Sequence, residues 1–419
     1  MAVRSSSVVP SFSFVIVSLL TACSGDPAPA PLADAALDTA PDVAPPDVAP
    51  PDVPTDAAAP ACSLTRALVT TSDFMRGGYA VGPFTPPSLM VPMLASPDQD
   101  HLPVASGCLA FTLLRGEDTL AVLDLAGLPA IARRIPLRPA GSDGGSYVVN
   151  PYDVEVVAPT RAYVAQLARS SLAVVDPTRD GPAAVTGRID LAPVRAAADA
   201  DPSGSPEASE LLRVGDRVFV VLQNLSSFAP VAPGTLAVVD VRTDALVDVD
   251  PAAPGTQPVT LSQRNPVAAT LTPGGRVVVA GAGAQPFMPP NVLDGAIEAI
   301  DATTLRPVGM RVTEMALGGD LQGLVMLDET RGWALTYRFV AGGREARVVA
   351  FDLATGAAGA TIFTAPDVAA IAKDPAGNVW LLDRTTGGAG ARVFRPDGTS
   401  LTAAPIATGL PPYGVAFVP

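Results

Sequence analysis

The acidic segment from Asp199 to Glu210 has the spacing of a calcium-binding loop. It reads Asp-Ala-Asp-Pro-Ser-Gly-Ser-Pro-Glu-Ala-Ser-Glu, with oxygen-bearing side chains at alternate positions, a glycine at the bend and a glutamate at the end. A hard cation needs several oxygens that converge from one tight turn. The pattern predicts a structural Ca²⁺ ion held by Asp199, Asp201, Ser203, Glu207 and Glu210.

Two features of this segment depart from a calcium loop. Pro202 and Pro206 occupy its fourth and eighth positions, and the flanking sequence lacks convincing helices. The alternative is a solvated acidic loop between two structural repeats. Beyond this structural ion, the sequence indicates no cofactor.

Catalytic motifs are absent from the sequence. The chain has one histidine, His101, so a pair of histidines cannot hold a metal, and a Ser-His-Asp triad would have to use this residue. There is no Gly-x-Ser-x-Gly elbow, Cys-x-x-Cys, His-Glu-x-x-His or phosphate-binding loop. These absences favour a non-enzymatic protein.

A module of short apolar strands recurs along the chain and predicts the fold. In its clearest copy a strand at 161–165 is followed by Leu-Ala-Val-Val at 172–175 and then by an Asp. Repeats of about 40–50 residues with four strands are typical of β-propeller blades. We expect each Asp to accept hydrogen bonds from the N–H groups of the turn after it. The aspartates that end these strands are Asp124, Asp176, Asp240, Asp301 and Asp352, at steps of 52, 64, 61 and 51 residues.

The end of the chain indicates how the propeller closes. Residues 412–418 resemble the first strand of a blade with nothing after it, and an unpaired strand edge promotes aggregation. Strands at 66–70 and 78–81 could complete its sheet. We therefore predict that residues 62–419 form an all-β, seven-bladed propeller closed by pairing of the N- and C-terminal strands, with six blades as the alternative.

The repeats resemble the YVTN-type propeller repeats of bacterial surface and periplasmic proteins. The resembling stretches are Ala-Tyr-Val-Ala at 162–165, Leu-Ala-Val-Val-Asp at 172–176 and 236–240, Thr-Gly at 355–356 and Pro-Tyr-Gly-Val-Ala-Phe at 412–417. The resemblance is loose and implies a fold rather than an activity.

Propellers bind ligands at the mouth of the central funnel, which is lined by the loops that lead into the innermost strands. Carboxylate, amide and tyrosine groups there could hold a metal or a sugar, or could only cap turns. The funnel candidates are Asn150, Tyr152, Asn265, Asp320, Gln322, Asp367 and Tyr413.

The first 22 residues are typical of a signal peptide, with Arg4 followed by an apolar run that is too short to span a bilayer. The sequence Leu-Thr-Ala-Cys that ends at Cys23 resembles a lipobox, which implies lipidation of Cys23. An ordinary signal peptide next to a cysteine is the alternative. Ser24 in the following position implies sorting to the outer membrane, so we expect a lipid-anchored cell-envelope protein.

Residues 23–61 contain the lipidated cysteine and a predicted disordered tether. Positions 24–61 hold ten Pro, twelve Ala, seven Asp and no Lys or Arg. A like-charged, Pro-rich chain cannot bury a core and stays extended. We expect it to hold the propeller away from the membrane.

The composition narrows the class of partner. The net charge is −14, which argues against nucleic acid because phosphate backbones require a basic surface. Our first hypothesis is a binding or scaffold module for a protein or glycan. The alternative is a metal-dependent propeller hydrolase or lactonase-like enzyme, and a weaker third option is a component of an outer-membrane assembly.

The remaining cysteines generate the first prediction. Cys62 and Cys108 are the only two left after Cys23, and in an oxidising compartment we expect a disulfide between them. It would close a loop that stabilises the fold by about 4 kcal/mol in the chain-entropy model. Mass spectrometry under non-reducing conditions should recover one peptide pair joined through these residues. Two separate free thiols would contradict the pairing.

Overall fold

The computed structural model describes residues 65–90, 95–139, 148–198, 204–284 and 289–418. The predicted signal peptide at 1–22, the tether at 23–61 and Cys62 lie outside these residues. Cys108 lies in the exposed turn between two strands, and its pairing with Cys62 stays a prediction. No helix in the described part of the chain is long and apolar enough to cross a membrane.

The described residues form seven antiparallel sheets that correspond to seven blades, plus one small hairpin. Blade 1 contains β30 (Pro412–Val418), β1 (Arg66–Ser72), β2 (Gly77–Gly82) and β3 (Ala95–Ser96), and blade 2 contains β4 (His101–Ser106), β5 (Leu109–Leu114), β6 (Thr119–Asp124) and β7 (Ala130–Pro136). Blade 3 contains β8 (Pro151–Ala158), β9 (Arg161–Gln166), β10 (Ser171–Val175) and β11 (Val185–Asp190). Blade 4 contains β12 (Ala208–Val214), β13 (Arg217–Leu222), β16 (Pro233–Asp240), β17 (Ala245–Leu246) and β18 (Val259–Arg264). Blade 5 contains β19 (Pro266–Leu271), β20 (Val277–Gly281), β21 (Ala296–Asp301) and β22 (Arg306–Thr313). Blade 6 contains β23 (Asp320–Met326), β24 (Arg331–Val340), β25 (Gly343–Asp352) and β26 (Ala357–Ala365), and blade 7 contains β27 (Val368–Lys373), β28 (Val379–Asp383) and β29 (Gly390–Phe394). The remaining elements are the hairpin strands β14 (Leu225–Ser226) and β15 (Ala229–Pro230), the helix α1 (Glu314–Leu317) and two 3-10 turns, Pro182–Ala184 and Ala192–Val194.

The blades form a closed ring. The innermost strands β30, β4, β8, β12, β19, β23 and β27 contact one another in that order, and β27 contacts β30 again. This arrangement confirms the predicted all-β, seven-bladed propeller, so the six-bladed alternative is wrong.

Ring closure follows the predicted pairing of the two ends of the described chain. β30 pairs antiparallel with β1, with Val415 opposite Val69 and Phe417 opposite Ala67. β1 in turn pairs with β2, so one blade is built from both ends.

The core is divided among the interfaces between blades. The second and third strands of each blade, such as β5 and β6, are nearly continuous apolar runs because both of their faces pack against neighbouring blades. Outermost strands alternate buried and exposed positions, as β18 does. In the described residues seven apolar clusters each span two adjacent blades, and the cluster that joins blades 7 and 1 contains Trp380, Val393 and Val69.

The strand-ending aspartates hold the turns that follow them, as the sequence predicted. The carboxylate of Asp124 accepts from the N–H of Ala126 at 2.8 Å, and that of Asp301 accepts from Thr303 and Thr304 at 2.9 and 2.8 Å. Asp176, Asp240 and Asp352 make the same kind of bond. These hydrogen bonds lower the pKa of Asp301, since they favour its charged form.

The alternating strand directions give the disc two different faces. All innermost strands start on one face, which also carries the loops between second and third strands; we call it the mouth face. The aspartate turns lie on the opposite face. β1 begins there at Arg66, opposite Val418 at the end of β30.

Ring closure can be tested by truncation. A chain that stops after Pro411 lacks β30, which leaves an edge of β1 unpaired and opens the interface between blades 7 and 1. We expect loss of the near-ultraviolet circular dichroism signal and aggregation in size-exclusion chromatography. A chain that stops after Val418 keeps β30 and is the matched control. A soluble, cooperatively unfolding chain without β30 would contradict this closure.

Candidate functional site

A cavity of about 670 Å³ lies on the axis of the ring, where all seven innermost strands contribute to its wall. Arg115 and Gln223 reach it from neighbouring loops. The other residues that line it are Leu102, Pro103, Val104, Tyr152, Asp153, Ser209, Glu210, Leu212, Val267, Ala269, Gln322, Ala369, Ala370, Tyr413, Gly414 and Val415.

A ring of β-bulges forms the upper wall of this cavity. In six of the seven innermost strands the register with the second strand shifts within the first residues, so that one or two residues are left unpaired. A bulge re-aims a side chain that the regular pleat would turn elsewhere. The skipped residues all line the cavity: Tyr152, Ser209, Val267, Gln322, Ala369, Ala370 and Tyr413.

Arg115 organises one side of the mouth. Its Nε donates to Asn150 Oδ1 at 2.8 Å, and its guanidinium lies 3.2 Å from the Asp100 carboxylate. The same group lies 4.4 Å from the ring centroid of Tyr152. The Tyr413 hydroxyl donates to Asp100 Oδ1 at 3.3 Å. The positive charge is therefore paired with Asp100 and held against the ring of Tyr152.

Two carboxyl groups in the cavity connect adjacent blades. Asp153 on β8 accepts from the N–H of Leu211 on β12 at 2.8 Å, and Glu210 on β12 accepts from the N–H of Ala269 on β19 at 2.5 Å. These N–H groups belong to strands with no further strand beside them in the sheet. Each carboxyl thus satisfies an edge donor of the next blade.

Burial changes the acidity of these groups. It raises the pKa of Glu210 to about 8 and that of Asp153 to about 7, and the charge of Asp153 adds to the effect on Glu210. Burial also raises the pKa of Glu155 on β8 to about 7. A desolvated carboxylate is unfavourable, and neighbouring like charges make it more so.

Two polar side chains in the cavity lack partners. Ser209 is 5% exposed, and its Oγ makes no hydrogen bond within the described part of the chain. Gln322 is half-buried and lines the cavity, and its side-chain amide makes no hydrogen bond among the described residues. Buried polar groups are normally satisfied, so the Ser209 hydroxyl is the buried group of this cavity that the described residues leave without a partner.

The mouth face also carries a set of exposed apolar side chains. Six of the nine exposed large hydrophobic residues in the described chain lie on the segments that connect strands at this face or at a strand end beside them, whereas Leu128 lies on the opposite face. They are Phe74, Met75, Val148, Phe228, Met315 and Val340.

Two of these residues adopt unusual backbone conformations. Phe74 in the β1–β2 loop has φ 63° and is 50% exposed; Phe228 at the tip of the β14–β15 hairpin has φ 66° and is 72% exposed. Left-handed conformations favour glycine or asparagine and are outliers for bulky residues. The Phe74 ring packs edge-on against Tyr413, with 5.9 Å between the ring centroids, and lies 4.9 Å from the Arg384 guanidinium, whereas Phe228 makes no ring contact within the described chain. Holding a largely exposed ring on a strained backbone, as at Phe228, costs free energy. Such a cost indicates selection for the ring itself.

The predicted funnel residues divide into two groups. Tyr152, Gln322 and Tyr413 line the cavity, and their predicted role in binding a ligand stays a prediction. The other four, Asn150, Asn265, Asp320 and Asp367, lie near strand starts but are not among the lining residues. Asn150 accepts from Arg115, and Asp367 Oδ1 accepts from the Tyr337 hydroxyl at 2.9 Å.

The predicted calcium ligands are only partly described, since Asp199, Asp201 and Ser203 lie outside the described residues. Glu207 is buried, and its Oε2 accepts from the N–H of Leu225 at 2.7 Å. Glu210 belongs to strand β12 and lines the cavity, so the last residues of the acidic segment, from Ala208 onward, form a strand and not a loop. Among the described residues no three His, Cys, Asp or Glu side chains lie close enough to hold a metal ion. The calcium site itself stays a prediction.

Sequence reasoning missed several channel groups: Arg115, Asp153, Ser209 and Gln223. One available signal is the proline that starts three of the bulged strands, because the residue after it is the one re-aimed inward. This rule yields Tyr152, Val267 and Tyr413. It does not identify Ser209, because the residue directly before Ser209 is Ala208 and not a proline.

The channel acids generate a prediction about pH. The folded chain holds the Glu210 proton more tightly than the unfolded chain does, so this group makes stability fall as pH rises from about 5 to about 8. Glu210→Gln removes the effect. Relative to the parent, its free energy of unfolding should improve by about 1–2 kcal/mol over that window, allowing for water in the open channel. Urea unfolding at several pH values measures it, with Ser209→Ala as the non-titrating control. A constant difference across this range would contradict the burial argument.

Comparisons with known proteins support the fold. A scan of family models and a search of curated proteins found no match for this chain. A "putative 6-phosphogluconolactonase" from Bacteroides fragilis is 11% identical, with a TM-score of 0.54 over 85% of this chain and 98% of that one. A functionally unknown protein from Desulfotomaculum acetoxidans is 11% identical, with a TM-score of 0.52 over 84% and 99%. A protein from Lactobacillus plantarum is 15% identical, with a TM-score of 0.51 over 84% and 99%. At these identities the likeness shows the propeller fold alone.

Proposed function

We propose that this protein is an exported, lipid-anchored, YVTN-type propeller that binds a protein partner on its mouth face without catalysing a reaction. The observation that carries the proposal is the pair of exposed phenylalanines, Phe74 and Phe228, in left-handed backbone conformations on that face. Aromatic side chains are frequent anchors in protein interfaces.

The surroundings of these anchors support an apolar partner surface. In the described residues of the loops that carry the six exposed apolar side chains, Arg76 is the one exposed charged residue, while Arg264, Asp294 and Arg344 are exposed elsewhere on the mouth face. Several exposed apolar side chains on one face resemble the anchors of a protein interface more than the single apolar residues of an ordinary solvated surface. We therefore expect a partner with an apolar surface.

The position of the first strand supports this orientation. The chain enters the propeller at Arg66 on the face opposite the mouth. If Cys23 carries lipid and residues 24–61 act as a tether, the attachment point leaves the mouth face free for a partner. We place the protein in the cell envelope, at the outer membrane.

A lactonase-like or other hydrolytic activity is the second candidate. The observation that favours it is the presence of Asp153 and Glu210 in one cavity, since carboxyl groups with raised pKa values can act as general acids or bases. Nothing in this arrangement selects a substrate, and both groups already serve as acceptors between blades.

The proposed function predicts that removing an anchor abolishes binding without harming the fold. Phe228→Gly and Phe74→Gly should lose the partner, whereas the unfolding midpoint of Phe228→Gly should be unchanged or higher because glycine tolerates a positive φ. Chemical cross-linking of cell envelopes with the full-length chain, followed by mass spectrometry, measures partner recovery. The matched control is Leu128→Ser, which removes an exposed apolar side chain from the opposite face.

Three results would contradict this function. One is equal recovery of the same partner by parent and both glycine variants. The second is loss of that partner with Leu128→Ser alone. The third is hydrolysis of glucono-δ-lactone by the purified chain, with or without added Ca²⁺ or Zn²⁺, that Glu210→Gln abolishes. Protease treatment of intact cells would show which side of the outer membrane carries the propeller.

A further inference from the structure

We propose that the cavity on the ring axis, which we call the central channel, is a binding site for an uncharged, hydroxyl-rich molecule of mono- or disaccharide size. Phe74 of the mouth-face loops packs edge-on against Tyr413 of the cavity wall, with 5.9 Å between the ring centroids, so the two regions adjoin. The hydrogen-bonding groups of the proposed site lie outside those loops, so the site does not depend on the proposed protein partner. It is built from the ring of bulged residues and the two carboxyl groups beneath the mouth.

The size and walls of the channel suit a small ligand. Its volume of about 670 Å³ lies within the range of roughly 300–1,000 Å³ that is usual for small-molecule sites. Val267, Ala369 and Ala370 form an apolar part of the wall, while blades 3, 4 and 6 contribute polar groups. A mixed wall of this kind can bury the carbon skeleton of a sugar and still bond its hydroxyls.

The unsatisfied groups supply the hydrogen bonds. Ser209 is 95% buried with no partner for its hydroxyl in the described chain. The half-buried amide of Gln322, which lines the cavity, offers a donor and an acceptor. Glu210 uses Oε2 for the N–H of Ala269, which leaves its Oε1 for a ligand. A sugar hydroxyl both donates and accepts, so one ligand class can satisfy all three side chains.

The aromatic groups supply a surface for a sugar ring. Tyr152 and Tyr413 both line the cavity, and Arg115 and Asp100 hold them in place at the mouth. Arg115 covers one face of Tyr152, so in this proposal a ligand would contact the opposite face. Rigid aromatic rings bury area at a low cost in conformational entropy.

The charges in the cavity disfavour ionic ligands of either sign. Arg115 is the one cationic side chain among the described lining residues, and Asp100 already pairs with it at 3.2 Å, so an anion finds no free positive charge. Asp153 and Glu210 are held by backbone N–H groups and, whether protonated or ionised, offer no positive charge to an anion. A cation would have to compete with these bonds. An uncharged polyol needs neither a free charge of opposite sign nor the loss of these hydrogen bonds.

Saturation-transfer difference NMR on the full chain tests the proposal. The probes are glucose, galactose, mannose, N-acetylglucosamine, maltose and cellobiose, with spermidine as the cationic probe and gluconate as the anionic probe. We expect a signal from at least one neutral sugar and from neither ion. Calorimetry then gives the affinity of the best sugar.

Variants connect that affinity to the channel. Ser209→Ala and Gln322→Leu should each weaken binding about five- to tenfold, the effect of losing one hydrogen bond to an uncharged partner. The control is Thr70→Val, which removes another buried, unpartnered hydroxyl on β1 outside the cavity, and it should bind within twofold of the parent. Phe228→Gly should also bind normally, which separates this site from the mouth-face surface.

Several outcomes would overturn the channel assignment. They are the absence of signal from every neutral sugar, binding of spermidine or gluconate alone, and full affinity in both Ser209→Ala and Gln322→Leu. If one of these two variants fails to give the circular dichroism spectrum of the parent, the other variant decides the result.

Discussion

The pairing of β30 with β1 is the interaction on which the rest of the structure depends. Six blades can stack by local chain order, but the seventh interface exists only when the last strand returns to the first. Without it, the apolar cluster around Trp380 and Val69 would be exposed, and the innermost strands would not enclose a cavity. Closure therefore forms the apolar core between blades 7 and 1 and also encloses the central channel.

Closure also sets the chemistry of the channel. The innermost strand is the edge of each sheet, so the N–H groups on its unpaired side need hydrogen-bond acceptors from outside that sheet. Asp153 and Glu210 provide them from the preceding blade, and the resulting burial raises the pKa values of both groups. Bulges at the strand starts then turn Tyr152, Ser209 and Gln322 toward the axis. One structural requirement thus yields a polar, partly unsatisfied cavity.

The two faces of the disc differ because different turns form them. The opposite face is built from tight aspartate turns, in which a carboxylate satisfies the backbone and remains solvated. The mouth face has loops and hairpins of variable length that need not keep a regular turn. Phe74 and Phe228 occur on this freer face, where a strained backbone and an exposed ring can persist without disturbing the blades.

The sequence alone was sufficient for the repeat and the closing pair, and it favoured seven blades over six, which the contacts between innermost strands then decided. These features depend on local patterns: apolar strand runs, the aspartate after the third strand, and an unpartnered strand at the end of the chain. It also placed Tyr152, Gln322 and Tyr413 in the funnel, because those residues begin innermost strands. It did not identify Asp153, Ser209 or Arg115 as channel residues, and it assigned Glu210 to an acidic loop. Tertiary structure decided these positions, since bulge register and acceptors shared between blades arise only when strands distant in the chain are brought around one axis.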